Sequence, residues 1–275
     1  METNIILAGV GGQGIVSISF VIDMAALKLG YSFKQAEVHG MSQRGGAVSS
    51  HLRVSDKPIH SDLVPRGRGT IVLSVEPLES LRHVDYLSPS GVVVASTDPY
   101  VNIDNYGSVD AILEAIAALQ SHVLVPSERL ARQAGTAKAQ NMVMLGAASP
   151  YLGLSDESLE YGITEAFARK GERVQNINIA AFRSGRAAGK AYLAMLKSGV
   201  KSENARALIG RLVDGTLYED AVDPWKAVFE GVNARAVIAL LSSKTPGLVA
   251  GTAVVPNRVL DCTDASDRLA ELLFG

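Results

Sequence analysis

Apolar positions in the first half of the chain alternate between short continuous runs and segments with helical spacing. Asn4–Val10 is a continuous apolar run, which is typical of a strand buried on both faces of a sheet. After it, Ile15, Ile18 and Ile22 recur at the spacing of an amphipathic helix. The same patterns predict strands at 31–38, 47–54, 70–75, 91–95 and 122–125, and helices at 109–119 and 127–133. We therefore predict a doubly wound, Rossmann-like, mostly parallel sheet with helices on both faces.

The second half of the chain has a predominantly helical pattern. A long helix predicted over 176–197 is poor in bulky side chains and contains Gly185 and Gly189. Each interior glycine costs about 1 kcal/mol relative to alanine, a cost that close packing would offset, so we expect this helix to cross the sheet or a partner at short range. Helical patterns continue after Gly199. We predict a first domain over residues 1–198 and a helical extension over residues 199–275.

Composition narrows the classes of function. The chain has 275 residues, of which 47% are hydrophobic and 20% charged, which is typical of a globular protein. The net charge of −2 without a block of Lys or Arg gives no basic face for nucleic acid. No apolar run approaches the roughly 18 residues of a membrane span, and no signal peptide is visible, so we expect a cytoplasmic protein. The single cysteine, Cys262, cannot supply the four thiolates of an iron–sulfur cluster.

A glycine-rich turn follows the first predicted strand. Its spacing, Gly-x-Gly-x-x-Gly, matches the dinucleotide fingerprint, in which backbone amides at a helix N-terminus attract an anion. The residues expected to bind a ligand here are Gly9, Gly11, Gly12, Gln13 and Gly14. Glu37, near the end of the second strand, stands where a ribose-binding acid would lie, so one interpretation is a stand-alone NAD(P)-binding Rossmann oxidoreductase. A lone match is weak, because any parallel α/β chain benefits from such a turn.

A second glycine-rich turn, at residues 39–46, follows the second strand. Arg44 offers a planar fork for a carboxylate or phosphate, and His39 titrates near neutral pH. Ser42 and Gln43 add uncharged donors and acceptors. The remaining residues, Gly40, Gly45 and Gly46, permit positive φ or close backbone approach. The alternative is a rigid loop whose Arg44 pairs with a local acid. Since both turns follow parallel strands, we expect them to meet at the carboxyl edge of the sheet.

The two turns, in this order, resemble the gamma-type domain of 2-oxoacid:acceptor oxidoreductases. The resemblance continues at residues 50–53 (Ser-His-Leu-Arg), 76–82 (Glu-Pro-Leu-Glu-Ser-Leu-Arg) and 141–147 (Asn-Met-Val-Met-Leu-Gly-Ala), and covers about residues 4–195. Pyruvate and 2-oxoglutarate members usually carry Gly-Pro-Glu before Arg-Gly-Gly. The His-Gly-Met-Ser-Gln form found here resembles the indolepyruvate, or arylpyruvate, branch. Residues 200–275 match no part of the family.

This resemblance implies a subunit of a thiamine- and iron–sulfur-dependent 2-oxoacid:ferredoxin oxidoreductase, which converts a 2-oxoacid and coenzyme A to acyl-CoA and CO2. In the family, thiamine diphosphate and [4Fe–4S] clusters lie on a larger alpha subunit, and the gamma-type domain helps to enclose substrate or coenzyme A. The expected partners are that alpha subunit, ferredoxin through the complex, and the 2-oxoacid, with no nucleic acid, no membrane and no metal bound by this chain.

The resemblance also assigns roles within the second turn. Arg44 is expected to bind an anion or to provide an interface charge, and His39 and Gln43 to position substrate. Ser42, Gly45 and Gly46 are expected to contact a cofactor. A third hypothesis is an assembly scaffold that docks a partner on the helix at 176–197.

Overall fold

The computed structural model describes residues 1–39, 45–101, 103, 105–197 and 201–213, with the backbone alone for His39, Leu208 and residues 211–213. These residues form a six-stranded sheet with the strand order β2-β3-β1-β4-β5-β6. The strands are β1 (Glu2–Val10), β2 (Ser32–His39), β3 (Ala47–Ser55), β4 (Gly69–Ser74), β5 (Leu87–Ser96) and β6 (His122–Val125).

Helices cover both faces of this sheet. They are α1 (Ile15–Lys28), α2 (Pro77–Leu81), α3 (Val109–Ala117), α4 (Ser127–Ala134), α5 (Gln140–Ala148), α6 (Asp156–Ala166), α7 (Glu172–Lys197) and α8 (Ser202–Val213). The helices α1, α5, α6 and α7 pack together, whereas α2 and α3 form a separate group. This arrangement confirms the predicted doubly wound, mostly parallel sheet. Within the described part of the chain, no helix is both long and apolar enough to cross a bilayer.

One strand departs from the parallel arrangement. β3 lies between β2 and β1 and runs antiparallel to both. Only residues 40–46 separate β2 from β3, whereas a parallel return needs a crossover of about a dozen residues or more. The chain therefore reverses into a hairpin, and β1 and β2 keep the same direction on either side of β3.

The core lies on both faces of the central strands. Ile5, Ile6 and Leu7 of β1 have no exposed surface, which explains why that strand reads as a continuous apolar run rather than an alternating one. Every residue of α5 from Asn141 to Ala148 is buried as well. A helix that is covered all round must be enclosed by its neighbours, and α7, β4 and β5 all contact α5.

The small residues of α7 serve this internal contact. A Cβ atom added at Gly185 would lie 1.9 Å from the carbonyl oxygen of Val143 in α5, and one added at Gly146 would lie 1.9 Å from that of Phe182 in α7. The predicted close crossing is confirmed, but the element crossed is neither the sheet nor another chain, as expected, but the helix α5. The scaffold hypothesis is wrong on this point, because Gly185 and Gly189 are buried inside the fold.

The helix α8 begins the extension predicted after residue 198. Its Ala205 and Ile209 are buried, and the helix packs on α7, α4 and the edge strand β6. The hydroxyl of Ser202 hydrogen-bonds the buried hydroxyl of Tyr192. This first segment is thus part of the same packed unit. The boundary at residue 198 stays a prediction, and the helices expected over 226–243 and 265–273 lie outside the described residues.

We expect Gly185→Ala to lower the free energy of unfolding by roughly 1–3 kcal/mol, the usual cost of overpacking, because the added methyl group forces α5 and α7 apart. Gly189→Ala is the matched control. Its Cβ would meet Ala147 at 3.2–3.4 Å, and the gain of about 1 kcal/mol in helix propensity offsets this crowding. Urea unfolding followed by circular dichroism measures both variants. Equal midpoints for the two would contradict the close crossing.

Candidate functional site

The two glycine-rich turns meet at the carboxyl edge of the sheet. The Gly11 amide donates to the Gly46 carbonyl over 2.8 Å, and the Gly45 amide donates to the Gly11 carbonyl over 3.3 Å. Gly45 has φ of +77°, which a glycine adopts without strain. The sequence prediction that both turns share one edge is confirmed, and backbone bonds join them directly.

The side chain of Gln13 is used inside the first turn. Its amide oxygen accepts from the Val10 backbone amide at 2.8 Å, and only 7% of the residue is exposed. Gly9 allows this arrangement, because a Cβ there would lie 3.0 Å from the same oxygen. Gln13 therefore holds the turn closed on itself while also lining the cavity described below.

Gly14 caps the N-terminus of α1 in a left-handed conformation, with φ of 80°. A Cβ at this position would lie 2.5 Å from the side-chain nitrogen of Asn141. That nitrogen donates to the Gly14 carbonyl at 3.2 Å, and the Asn141 oxygen accepts from the Met142 amide at 3.0 Å. Asparagine is a favoured helix cap, but α5 begins at Gln140, so Asn141 lies in the first turn of the helix rather than capping it. Its side chain ties α5 to the glycine turn, a contact that no local sequence signal reveals.

A cavity of about 920 Å³ opens beside this turn. The strands β1 and β4 are neighbours, and the chain continues from β1 towards one edge of the sheet and from β4 towards the other. Such a topological switch point is the usual ligand position in open α/β sheets. The first turn of α1, which contains no acidic residue, forms one wall and presents its positive end. The charged residues that line the cavity are Asp98, Glu128, Lys138, Lys170 and Arg173.

The acidic groups in the cavity are engaged by neighbouring groups. Asp98 accepts from the Glu128 backbone amide at 2.7 Å and so caps α4. Ser127 is of a residue type that favours the cap position, but it is the first residue of the helix and hydrogen-bonds Ser96 at 2.8 Å. Burial raises the pKa of Asp98 above its usual value. Glu128 pairs with Arg132 one turn along the helix.

The cationic groups are held differently. Lys170 lies over the ring of Phe167, 5.2 Å from its centroid. Among the described residues, no acidic side chain forms an ion pair with Lys138 or Arg173. With both acids engaged elsewhere, the cavity presents a net cationic surface next to the N-terminus of a helix. Such a surface can bind a carboxylate or phosphate.

Glu76 holds the loop that carries Tyr100, one of the residues lining the cavity. This carboxylate is 1% exposed and accepts from the Glu79 amide at 2.8 Å, the Tyr100 amide at 3.3 Å and the Tyr106 hydroxyl. Burial and the nearby Glu76 carboxylate raise the pKa of Tyr106, so that its hydroxyl stays protonated and donates. The loop after β5, which carries cavity residue Tyr100, is thereby attached to α2. Sequence reasoning recognised the motif around Glu76 but assigned it no role.

The predicted catalytic residues are only partly covered by the structure. The backbone of His39 ends β2 and pairs with Val48. Its side chain, together with Gly40, Met41, Ser42, Gln43 and Arg44, lies outside what the structure describes. The loop that contains them ends beside the first glycine turn, where Gly45 and Gly46 bond Gly11, and it starts at His39 on β2, with β3 lying between His39 and Gly9. The roles expected for His39, Ser42, Gln43 and Arg44 stay predictions.

The position of Glu37 argues against a dinucleotide site. In that motif the ribose-binding acid ends the strand next to β1. Here β3 intervenes, since Leu7 pairs with Ser50 and Ser50 pairs with Glu37. Two strand spacings, about 10 Å, therefore separate β2 from β1. Glu37 lies near Asp23 of α1 instead and adds to the effect of burial, which raises the pKa of that carboxyl. The stand-alone NAD(P) interpretation is not favoured.

Comparison with known proteins gives concordant results. The family model for pyruvate ferredoxin/flavodoxin oxidoreductase matches residues 4–188. Indolepyruvate oxidoreductase subunit IorB of Thermococcus kodakarensis is 32% identical over 204 residues, which are 70% of this chain and 99% of that protein. The IorB subunit of Methanothermobacter thermautotrophicus is 36% identical over 194 residues, 67% of this chain and 96% of that protein.

The fold also has a solved counterpart. The 2-oxoglutarate:ferredoxin oxidoreductase of Magnetococcus marinus superposes with a TM-score of 0.55 at 22% identity, covering 69% of this chain and 31% of that one. The family model matches most of the sequence, and the chain matches these relatives over almost their whole length. The chain therefore belongs to the pyruvate ferredoxin/flavodoxin oxidoreductase family, among the members that form one subunit of a 2-oxoacid oxidoreductase.

Proposed function

We propose that this chain is the smaller subunit of an oxidoreductase that acts on indolepyruvate or a related arylpyruvate. The complex converts the 2-oxoacid and coenzyme A to acyl-CoA and CO2, and passes the electrons to ferredoxin in the cytoplasm. The observation that carries the proposal is the match to two indolepyruvate oxidoreductase subunits, which covers almost the whole length of each of them. The His-Gly-Met-Ser-Gln sequence at residues 39–43, which resembles the arylpyruvate branch, supports the same choice of substrate.

The redox cofactors belong, in this proposal, to a larger alpha subunit. A [4Fe–4S] cluster takes four thiolates, and the chain has a single cysteine, Cys262. Within the described residues, no group of three or more His, Cys, Asp or Glu side chains is arranged to hold a metal ion. The residues of this chain therefore do not fit a cluster. Thiamine diphosphate, which activates the 2-oxoacid in this family, is likewise assigned to the alpha subunit.

This chain contributes the surface that encloses the reactants. The two joined turns, at residues 9–14 and 39–46, face the active site of the alpha subunit in our proposal. Arg44 binds an anionic group there, and His39 and Gln43 orient it. The hydrogen bonds that tie Gly11 to Gly45 and Gly46 support this arrangement, because they fix the return of the Arg44 loop beside the first turn.

The cationic cavity has a related role. Coenzyme A carries several phosphate charges, and a 2-oxoacid carries one carboxylate. We assign the cavity to the phosphates, since Lys138, Lys170 and Arg173 are spread over its wall and the N-terminus of α1 adds a further positive end. Lysine and arginine bind phosphate through charge-assisted hydrogen bonds, which are about twice as strong as neutral ones.

The role of Arg44 is tested by Arg44→Lys. Lysine keeps the charge but lacks the bidentate fork, so we expect turnover of the reconstituted complex to fall on the order of tenfold. The variant is mixed with the alpha subunit, and 2-oxoacid-dependent ferredoxin reduction is followed. Gel filtration of the mixture checks that the complex still forms. Unchanged turnover in an intact complex would remove Arg44 from the site.

The role of the cavity is tested by the double variant Lys138→Ala/Arg173→Ala. We expect the KM for coenzyme A to rise on the order of tenfold or more, because two charge-assisted contacts are lost, while the KM for indolepyruvate stays unchanged. Lys190→Ala is the matched control, since Lys190 is an exposed cation on the same helix as Arg173 but does not line the cavity. A rise in the KM for the 2-oxoacid alone would reassign the cavity to the substrate carboxylate.

A further inference from the structure

An apolar stripe is exposed on the outer side of α1. Val16, Phe20 and Leu27 are 52%, 46% and 59% exposed. Their spacing of four and seven residues places them on one side of the helix, opposite the buried Ile18 and Ile22. Scattered surface hydrophobics are ordinary, but three large side chains along one helix stripe form a contiguous surface.

The edge strand β2 continues this surface. Phe33, Gln35 and Glu37 share one face of the strand, because alternate residues point the same way. Gln35 donates from its side-chain nitrogen to the Ser19 hydroxyl at 3.0 Å, so this face is the one directed towards α1. Phe33 is 37% exposed. We define the α1–β2 face as Val16, Phe20, Asp23 and Leu27 of α1 with Phe33, Gln35 and Glu37 of β2.

Asp23 lies within the apolar stripe, three residues after Phe20 and four before Leu27. Its Oδ1 atom is buried and accepts no hydrogen bond from any residue that the structure describes. Burial, and then the charge of Glu37, raise the pKa of Asp23 to about 7. The ionised Asp23 is therefore partly buried near a second carboxylate, that of Glu37, to which the side-chain amide of Gln35 donates. This is an unfavourable environment in the free chain, and a cation brought to the face would relieve it.

The location of the face indicates what brings that cation. Val16 is adjacent to Ser17, which lines the cationic cavity, so the face is continuous with the site that the larger subunit must cover. In the longer Magnetococcus marinus chain the matched part is 31% of the whole, so a domain of this fold is joined there to further polypeptide. An exposed apolar surface of this kind marks a protein-binding site.

We propose that the α1–β2 face docks the larger subunit of the complex through a lysine or arginine of that subunit, which pairs with Asp23 while aliphatic groups around it cover Val16, Phe20 and Leu27. This inference rests on the proposed function and adds the surface and the chemistry of the contact. The partner's cation offsets the negative charge of Asp23, and the side chains of Val16, Phe20 and Leu27 are removed from water.

Two variants and one control test the contact. Asp23→Asn is nearly isosteric and removes the charge, Phe20→Ser removes apolar area, and Glu114→Gln neutralises an exposed carboxylate on α3. The dissociation constant for the purified alpha subunit is measured by calorimetry at pH 8. We expect Asp23→Asn and Phe20→Ser to weaken binding on the order of tenfold or more, and Glu114→Gln to leave it unchanged.

The thermal midpoint of the isolated chain separates docking from folding. Asp23→Asn is expected to raise the midpoint at pH 8 by roughly 2–4 °C, because it removes a buried negative charge. The raised pKa of Asp23 means that the wild-type chain loses stability as the pH rises from about 4 to about 7, with the loss complete above that range. At pH 5 the Asp23 carboxyl of the folded chain is largely protonated, so the thermal midpoints of the wild-type chain and Asp23→Asn should lie closer together. A variant that is more stable alone yet binds more weakly identifies a contact surface.

Other results would overturn the inference. Wild-type affinity of both variants, in a complex that still turns over indolepyruvate, would reject this face and leave the function intact. A wild-type chain that forms homodimers, which either variant dissociates, would assign the face to a second copy. A wild-type chain that neither binds the alpha subunit nor supports turnover would reject both the function and the docking surface.

Discussion

The carboxyl edge of this sheet depends on a backbone contact. The amide of Gly11 bonds the carbonyl of Gly46, and the amide of Gly45 bonds the carbonyl of Gly11. These bonds need the β2–β3 hairpin, because only a strand that returns beside β1 brings Gly45 and Gly46 next to the first turn. The hairpin in turn excludes the neighbouring strand that a dinucleotide site uses. One local connection thus both builds the proposed reactant surface and removes the main alternative.

Much of this architecture could be predicted from the sequence. Continuous apolar runs gave the buried strands, and the two glycine turns indicated a shared edge. The direction of β3 could not be derived from its side chains, since an alternating strand reads the same in either direction. The shortness of the segment between His39 and Ala47 was the available signal. Likewise, the small residues of α7 predicted a close crossing, but composition does not identify which element lies across from Gly185.

The polar contacts of the site were harder to predict, because they join residues far apart in sequence. Asp98, in the loop after β5, caps α4, where the local rule favours Ser127. Glu76 binds the loop that carries Tyr100, and Asn141 reaches Gly14 from α5. A pattern of residues gives the type of each group but not its distant partner. The cationic character of the cavity follows from the contact of Asp98 with α4 and from the pairing of Glu128 with Arg132, which leave the lysines and the arginine available to a ligand.

The inserted strand also affects how the chain is assembled during synthesis. β1 precedes both of its neighbours, and its Glu2 pairs with Ser55, at the end of β3. On the ribosome, this strand, which is apolar from Ile5 to Val10, has no neighbour until residues 47–55 have emerged. The hairpin of β2 and β3 closes over a much shorter loop, and local contacts form faster than distant ones. The order expected is therefore hairpin first and β1 second, which leaves the apolar part of β1 unpaired until the hairpin has formed.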